Sequence, residues 1–327
     1  MISRCTTFLT GLMTTLLLAM PTVAQASTHH HHKTSHAEHK SHGKAHHKLA
    51  LNHGPRGGHA TRVSMRATML DELEPALRSS AALVVNQESG EHIYEKNPHN
   101  VTPIASVSKL MTAIVTLDMH LSMDEPITIT DDDIDRLKNS SSRLLVGTTL
   151  TRGEILHLAL MASENRAAHA LARTAPGGMA NFVAHMNRTA ESLGMHHTHF
   201  EDPTGLTSEN VSTAEDLVRL VETAVRYPEI RQYSTSESYE FVSSVNGREY
   251  EFHNTNPLVK ADNWQIGLSK TGYISEAGKC LVMQATIDST PVVIVLLDSA
   301  GKFTRIADAN RIKHWLETSP NAKLRAG

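Results

Sequence analysis

Between Ser27 and Lys48 the chain contains no Leu, Ile, Val, Met, Phe, Tyr or Trp. A segment without large apolar side chains cannot bury enough surface to offset the entropy of ordering itself. As far as residue 68 the same region carries seven Lys or Arg against the single acid Glu38, and eleven of the chain's 22 histidines fall between His29 and His59. Gly54-Pro55-Arg56-Gly57-Gly58 interrupts any regular structure there. Folding is therefore confined to the residues beyond 68. The expected organisation is a targeting segment at 1–26, a disordered His/Lys-rich tail at 27–68 and one folded domain at 69–327. The whole chain stands at −3 and the tail at +6, so with Arg4 set aside the domain holds −10. That is no polycation built for nucleic acid.

Residues 1–26 have the layout of a signal peptide. Arg4 supplies the positive start, Phe8 to Met20 is an apolar stretch short for a bilayer span, and Ala24-Gln25-Ala26 is a small-x-small cleavage pattern. The mature chain is expected to begin near Ser27, in the periplasm and without a membrane anchor. Cys5 leaves with the signal, so Cys280 remains alone and no internal disulfide can form. In the tail, His29, His30, His31 and His32 are candidate weak ligands for zinc, copper or nickel, since neutral imidazoles chelate such ions. A solvated linker is the plainer reading of the same composition.

From Met69 the pattern is globular. Ala81–Asn86 and His92–Glu95 predict a hairpin, and Ser106 to Met119, apolar on most sides, predicts a buried helix. Thr151 and Glu154 form a capping box ahead of a helix to Met161. Met179, Phe182, Val183, Met186 and Leu193 keep helical spacing up to the stop at Gly194. Ser212 and Glu215 read as a second capping box, with Pro228 ending that helix. Asn246-Gly247 joins two strands over 239–253. Cys280–Ile287 and Val292–Leu297 are further strands, and a last helix runs near Thr304–Leu316. The expected fold class is α+β: an antiparallel sheet flanked by helices, with a mainly helical subdomain.

Three short motifs can carry chemistry: Ser106-Val107-Ser108-Lys109, Ser163-Glu164-Asn165 and Lys270-Thr271-Gly272. Ser-x-x-Lys also occurs at Ser41/Lys44 and Ser299/Lys302, and Ser-x-Asn at Ser208/Asn210 and Ser244/Asn246, so matching alone decides nothing. Context does. Only Ser106 and Lys109 open a buried helix, where residues three apart share a face and an amine stands beside a hydroxyl. A serine needs a base to become a nucleophile, and a desolvated lysine can be that base. Ser163-Glu164-Asn165 lies in a short loop between helices. Lys270-Thr271-Gly272 is expected to begin a strand, its glycine admitting a substrate backbone.

The order and spacing of these motifs resemble the penicillin-binding proteins and serine β-lactamases. Pro103 to Ala113, Leu160 to Ala168, Asp202-Pro203-Thr204-Gly205-Leu206, His253-Asn254-Thr255-Asn256 and Lys270 to Tyr273 are similar to the low-molecular-mass D-alanyl-D-alanine endopeptidase branch. The likeness spans about residues 75–320. It implies a β-lactamase/transpeptidase-like fold and peptidoglycan peptides as substrates, cut at D-alanyl bonds, with β-lactams as inhibitors and no cofactor. Ser106 would be the acylated nucleophile, Lys109 its base and Ser163 a proton relay to the leaving amine. Asn165 would meet the substrate amide and hold Lys109. Lys270 and Thr271 would meet the substrate carboxylate beside Gly272, and the backbone amides of Ser106 and Tyr273 would form the oxyanion hole. Several carboxypeptidase relatives carry a second β-rich domain and a C-terminal anchor; the end at Gly327 is expected to reflect the endopeptidase branch.

Three other readings compete. A carboxypeptidase trimming stem pentapeptides is nearest. A β-lactamase would need a carboxylate for deacylation, and Glu201 is the candidate by position, though the asparagine that normally accompanies it is missing. A metal-binding surface protein with an idle domain would leave the three motifs without a purpose.

Overall fold

The computed structural model describes residues 74–320 together with residue 322. The expected signal segment and the His/Lys-rich tail, with His29 to His32, lie outside the described residues. The chain begins with β1 (Ser79–Asn86), β2 (His92–Lys96) and β3 (Thr102–Pro103). A 3-10 turn, Ala105–Ser108, then leads directly into α1 (Lys109–Asp118). A helical region comes next, made of β4 (Pro126–Thr128), β5 (Thr149–Thr151), α2 (Arg152–Met161), α3 (Asn165–Arg173) and α4 (Gly178–Ser192), then β6 (Val211–Ser212), α5 (Ala214–Ala224) and α6 (Pro228–Thr235). The chain returns through the hairpin β7 (Ser238–Val242) and β8 (Glu249–His253), then β9 (Gln265–Ile274), β10 (Gly278–Ile287), β11 (Thr290–Ser299) and α7 (Thr304–Thr318).

The main sheet has the order β2-β1-β11-β10-β9 and is antiparallel throughout. The first strands of the domain thus pair with the last, Leu83 opposite Val295. Both faces are covered. Leu83, Val85, Val282, Val293, Val295 and Leu297 pack toward the helical region. The alternate residues Ala82, Val84, Leu281, Met283, Ile294 and Leu296 pack with Ile312, Trp315 and Leu316 of α7. This period-two division between two cores explains why the strands read as continuous apolar runs. Asp308 of α7 ties the first strand down, its carboxylate accepting from the backbone N–H and the hydroxyl of Ser79, each at 2.7 Å.

α1 is buried along its length from Lys109 to Thr116, as its all-round apolar sequence predicts. The Thr151–Glu154 capping box is present in full. The cap of α5 differs from expectation: Thr213 accepts from the backbone N–H of Asp216, at 3.1 Å. Asp216 in turn takes the backbone N–H of His197, a longer-range tie that Ser212 and Glu215 do not make. Pro228 does not stop α5, which ends at Ala224; it opens α6, where its missing N–H costs nothing. Lys270-Thr271-Gly272 lies in the second half of β9 instead of at its start, because pairing with β10 already begins at Gln265. Among the described residues no helix is long and apolar enough to cross a membrane.

Candidate active site

The three motifs converge from three elements. Ser106 sits in the 3-10 turn ahead of α1, and Lys109 is the first residue of that helix. Ser163 lies in the link between α2 and α3, with Asn165 opening α3. Lys270 and Thr271 come from β9, the edge strand of the main sheet. Two lysines join them. Lys109 Nζ donates to Ser106 Oγ at 2.8 Å, to Asn165 Oδ1 at 2.8 Å and to the Thr204 carbonyl at 2.6 Å. Lys270 Nζ donates to Ser163 Oγ at 2.8 Å and to the carbonyl of Thr271 at 3.0 Å.

Both lysines are 1% exposed. Burial disfavours the ammonium of Lys109 and, against the pull of Asp202 and Glu164, brings its pKa down to about 7. Lys270 is also pushed well below the usual lysine range, by burial first and then by the positive charges of Lys109 and Arg305. Near neutrality Lys109 can therefore exist as a free amine. Two of its hydrogen-bond partners are carbonyl-type oxygens that only accept. A neutral amine that keeps its two N–H bonds to Asn165 and Thr204 is left with its lone pair toward Ser106 Oγ, the orientation a general base needs.

Two glycines permit the approach of these elements. A Cβ on Gly205, at φ +78°, would stand 1.9 Å from the Ala105 carbonyl oxygen. A Cβ on Gly272 would stand 2.8 Å from the Ile104 carbonyl oxygen and 3.1 Å from the Ser106 nitrogen. Backbone therefore meets backbone at Ser106, and the amides of Ser106 and Tyr273 lie on the two segments so joined. Ala105 and Ser163 are held in the left-handed region, at φ 49° and 60°, a conformation that persists only where the surroundings enforce it.

The sequence did not point to the residues that set this scaffold. Asp202 Oδ1 accepts from the backbone N–H groups of Thr204 and Gly205 and from the Thr204 hydroxyl, and its Oδ2 from the N–H of Thr207. That turn is what presents the Thr204 carbonyl to Lys109. Asn210 anchors it from behind, donating to the Asp202 carbonyl and to Ser108 Oγ. Asn165 Nδ2 donates to Ser140 Oγ, which fixes the amide so that its oxygen faces Lys109. Thr271 Oγ1 donates to Thr255 Oγ1, and Arg305 donates to the Gly272 carbonyl. Asp202, Thr204 and Thr255 lay inside stretches whose family likeness was visible; Arg305, on α7, carried no signal.

Glu201 is 64% exposed, and its carboxylate lies 3.3 Å from His199 Nε2. It lines the cavity beside Asn165 and Thr204, and no hydrogen bond joins it to Ser106 or Lys109. Cys280 is buried, with its thiol pushed up to about 11 by desolvation, and is chemically idle. Among the described residues no group of His, Cys, Asp or Glu is arranged to hold a metal ion.

A serine beside a buried, depressed-pKa lysine, a second serine held by a second lysine, and a glycine-containing sheet edge define a penicillin-binding, acyl-transferring serine hydrolase. Sequence comparison agrees: the D-alanyl-D-alanine carboxypeptidase family, peptidase S11, matches residues 68–301, and the chain belongs to it. The chain is 46% identical over 246 residues to a D-alanyl-D-alanine endopeptidase of Pseudomonas aeruginosa, covering 75% of this chain and 79% of that protein. It is 43% identical over 256 residues to a D-alanyl-D-alanine endopeptidase of Escherichia coli, covering 78% and 83%. Among solved structures it is similar to the Streptomyces K15 DD-transpeptidase, with a TM-score of 0.69 and 28% identity over 74% of this chain and 98% of that one. The expected α+β fold of the transpeptidase type is therefore the fold of this chain, which is a serine-type D-Ala-D-Ala peptidase.

Proposed function

We propose that the protein is an exported D-alanyl-D-alanine endopeptidase that opens peptidoglycan cross-links through an acyl-enzyme on Ser106. The observation that carries this reading is the Lys109 amine, desolvated, aimed at Ser106 Oγ and oriented by two fixed acceptors. Ser106 Oγ attacks the carbonyl carbon of the D-alanine in the cross-link while Lys109 takes its proton. The carbon–nitrogen bond then breaks. Ser163, held by Lys270, gives its proton to the departing amine, and the proton that Lys109 took from Ser106 balances the one given up. Water later cleaves the ester and frees Ser106. A β-lactam acylates the same oxygen but keeps its leaving group tethered, so its ester persists.

One feature supports an endopeptidase over a carboxypeptidase. Relatives called endopeptidases reach 46% and 43% identity, whereas relatives called carboxypeptidases lie at 27–31%. For either substrate, the edge position of β9 leaves room for an extended peptide to lie alongside it. A cavity of about 250 Å³ beside Asn165, between residues 133–137 and 201–206, offers space for the acyl half. Periplasmic location rests on the signal-peptide pattern of residues 1–26. Intact-protein mass spectrometry with benzylpenicillin tests the nucleophile: a stable adduct on the natural chain and none on Ser106→Ala supports the acyl-enzyme. Release of monomers from purified cross-linked muropeptides, faster than D-alanine from pentapeptides, supports the endopeptidase; the reverse order overturns it in favour of the carboxypeptidase.

A further inference from the structure

Beyond the end of the catalytic strand lies a surface that bond cleavage itself does not use. Tyr273, the residue after Gly272, is 58% exposed, and Phe303, at the start of α7, is 66% exposed. Each ring has a lysine over its face: Lys279 Nζ stands 3.8 Å from the Tyr273 centroid and Lys302 Nζ 5.2 Å from that of Phe303. Lys279 is the cross-strand partner of Tyr273 on one side and of Ser299, four residues before Phe303, on the other, and it lies near enough to Lys302 to feel its charge. Neither lysine has a carboxylate within ion-pair distance among the described residues, although the domain is rich in acid. Arg305 adds a third cation, its guanidinium donating to the carbonyls of Gly272 and Cys280. The positive charges of Arg305 and Lys302 join burial in lowering the Lys279 pKa, which is what uncompensated proximity produces.

Clustered cations that form no ion pair among the described residues, on a surface that continues the substrate groove, call for an anionic occupant. The cleavage chemistry names it. When the leaving group is a single D-alanine, nothing follows its carboxylate, which Thr271 meets. When the leaving group is the side-chain amine of a diamino acid, a second stem peptide follows, and that stem carries further free carboxylates. We infer that Lys279 and Lys302, with the rings of Tyr273 and Phe303, form a subsite for the carboxylate-bearing stem of the leaving half of a cross-linked peptide. The inference rests on the endopeptidase reading and assigns these residues to specificity, leaving bond cleavage to Ser106 and Lys109. The aromatic faces supply flat apolar support for the stem, and the lysines supply charge at the rim, where it acts on capture more than on chemistry.

The test compares three reactions of the full chain and of a Lys279→Glu/Lys302→Glu variant: hydrolysis of a purified cross-linked muropeptide dimer, hydrolysis of a D-Ala-D-Ala pentapeptide, and acylation by benzylpenicillin. The expected result is a loss of about tenfold in kcat/KM for the dimer, carried by KM, with the other two rates within about twofold of the natural chain. Added salt should slow dimer hydrolysis by the natural chain and leave the pentapeptide rate nearly unchanged. Lys279→Arg/Lys302→Arg, which keeps the charge, should restore the dimer rate. Lys302→Glu alone, at an exposed position, gives the same comparison if the double variant folds poorly. An equal fall in all three rates, or no fall in any, overturns the subsite while leaving the endopeptidase standing. Failure of the natural chain to cleave the dimer, with the pentapeptide still cleaved, overturns the endopeptidase reading and the subsite with it.

Discussion

Lys109 Nζ and the Thr204 carbonyl oxygen are 2.6 Å apart, although 95 residues separate them in the chain. This bond and the one to Asn165 Oδ1 occupy two of the three donor positions of the ammonium, and the third points at Ser106 Oγ. A buried lysine so placed has one proton it can lose usefully. Loss of that proton turns the contact with Ser106 from donor to acceptor without moving a heavy atom.

The rate of acylation should therefore follow the neutral fraction of Lys109. Burial sets its pKa at about 7, so second-order acylation by benzylpenicillin should rise with pH through about 7 and level off above it. The stability term has the same direction. The unfolded chain holds the lysine proton to a much higher pH than the folded one, so the cost of burying Lys109 is full below 7 and shrinks as pH rises from there toward the usual lysine range. Stopped-flow acylation between pH 5.5 and 9 checks the kinetic part. A flat profile, or one that falls through 7, would remove Lys109 as the base.

Asp202 touches neither nucleophile nor base, yet it gathers four donors of the turn that aims the Thr204 carbonyl. Asp202→Asn turns one acceptor oxygen into a donor facing N–H groups, so the turn should loosen. The expected outcome is a fall in acylation of about tenfold to a hundredfold and a downward shift of the midpoint in its pH profile, because the aspartate charge that holds the Lys109 pKa up is gone. A purely structural role would lower the thermal midpoint and leave the pH profile of the surviving enzyme in place.

How far the sequence foretold this architecture depends on the kind of signal each part leaves. Strand alternation, the apolar run of α1 and the Thr151 capping box are local patterns, so β1, β2, α1, α2 and the β10–β11 hairpin were legible. The motifs were legible only jointly, since Ser-x-x-Lys recurs at Ser299/Lys302 across the end of β11, where Ser299 Oγ is bonded to Ser79 Oγ and not to a lysine. Thr204 was not legible as a ligand of Lys109, because it acts through a backbone carbonyl that any residue possesses. Thr213 displaced Ser212 as the cap of α5 because the contact from Asp216 to His197, nineteen residues away in the chain, fixes the turn. Such choices are tertiary, and local propensity is silent on them.

Ser163 is bonded to Lys270 and has no direct bond to Lys109, so its part is expected in the step that releases the amine. Ser163→Ala should slow peptide hydrolysis by about a hundredfold or more, the usual scale for a lost proton donor, and leave the fold intact. Acylation by a β-lactam carrying a good leaving group should fall less than hydrolysis of the peptide, whose amine must be protonated to depart. Parallel measurement of both rates on Ser163→Ala decides it; equal losses would assign Ser163 to the attack on the carbonyl instead.

The acid limit of the fold should come in large part from Asp133, buried between the helical region and the wall of the cavity beside Asn165. Burial pushes its carboxyl upward, but hydrogen bonds from His169 and Arg173, the Thr130 N–H and the Arg173 charge outweigh it and hold the pKa at about 2. Arg173 is raised by the same pair, so the two partners agree. An ordinary aspartate titrates near 4, so the folded state gains about 2 kcal/mol from this group above that pH. The gain is lost as pH falls from about 4 through about 2. Asp133→Asn should therefore be destabilised at pH 6 by about 2 kcal/mol or somewhat more, since Arg173 is left half-buried without its carboxylate. Toward pH 2 the variant and the natural chain should converge. Urea midpoints at a series of pH values measure this directly, and a constant gap between the two proteins down to pH 2 would place the acid sensitivity elsewhere in the domain.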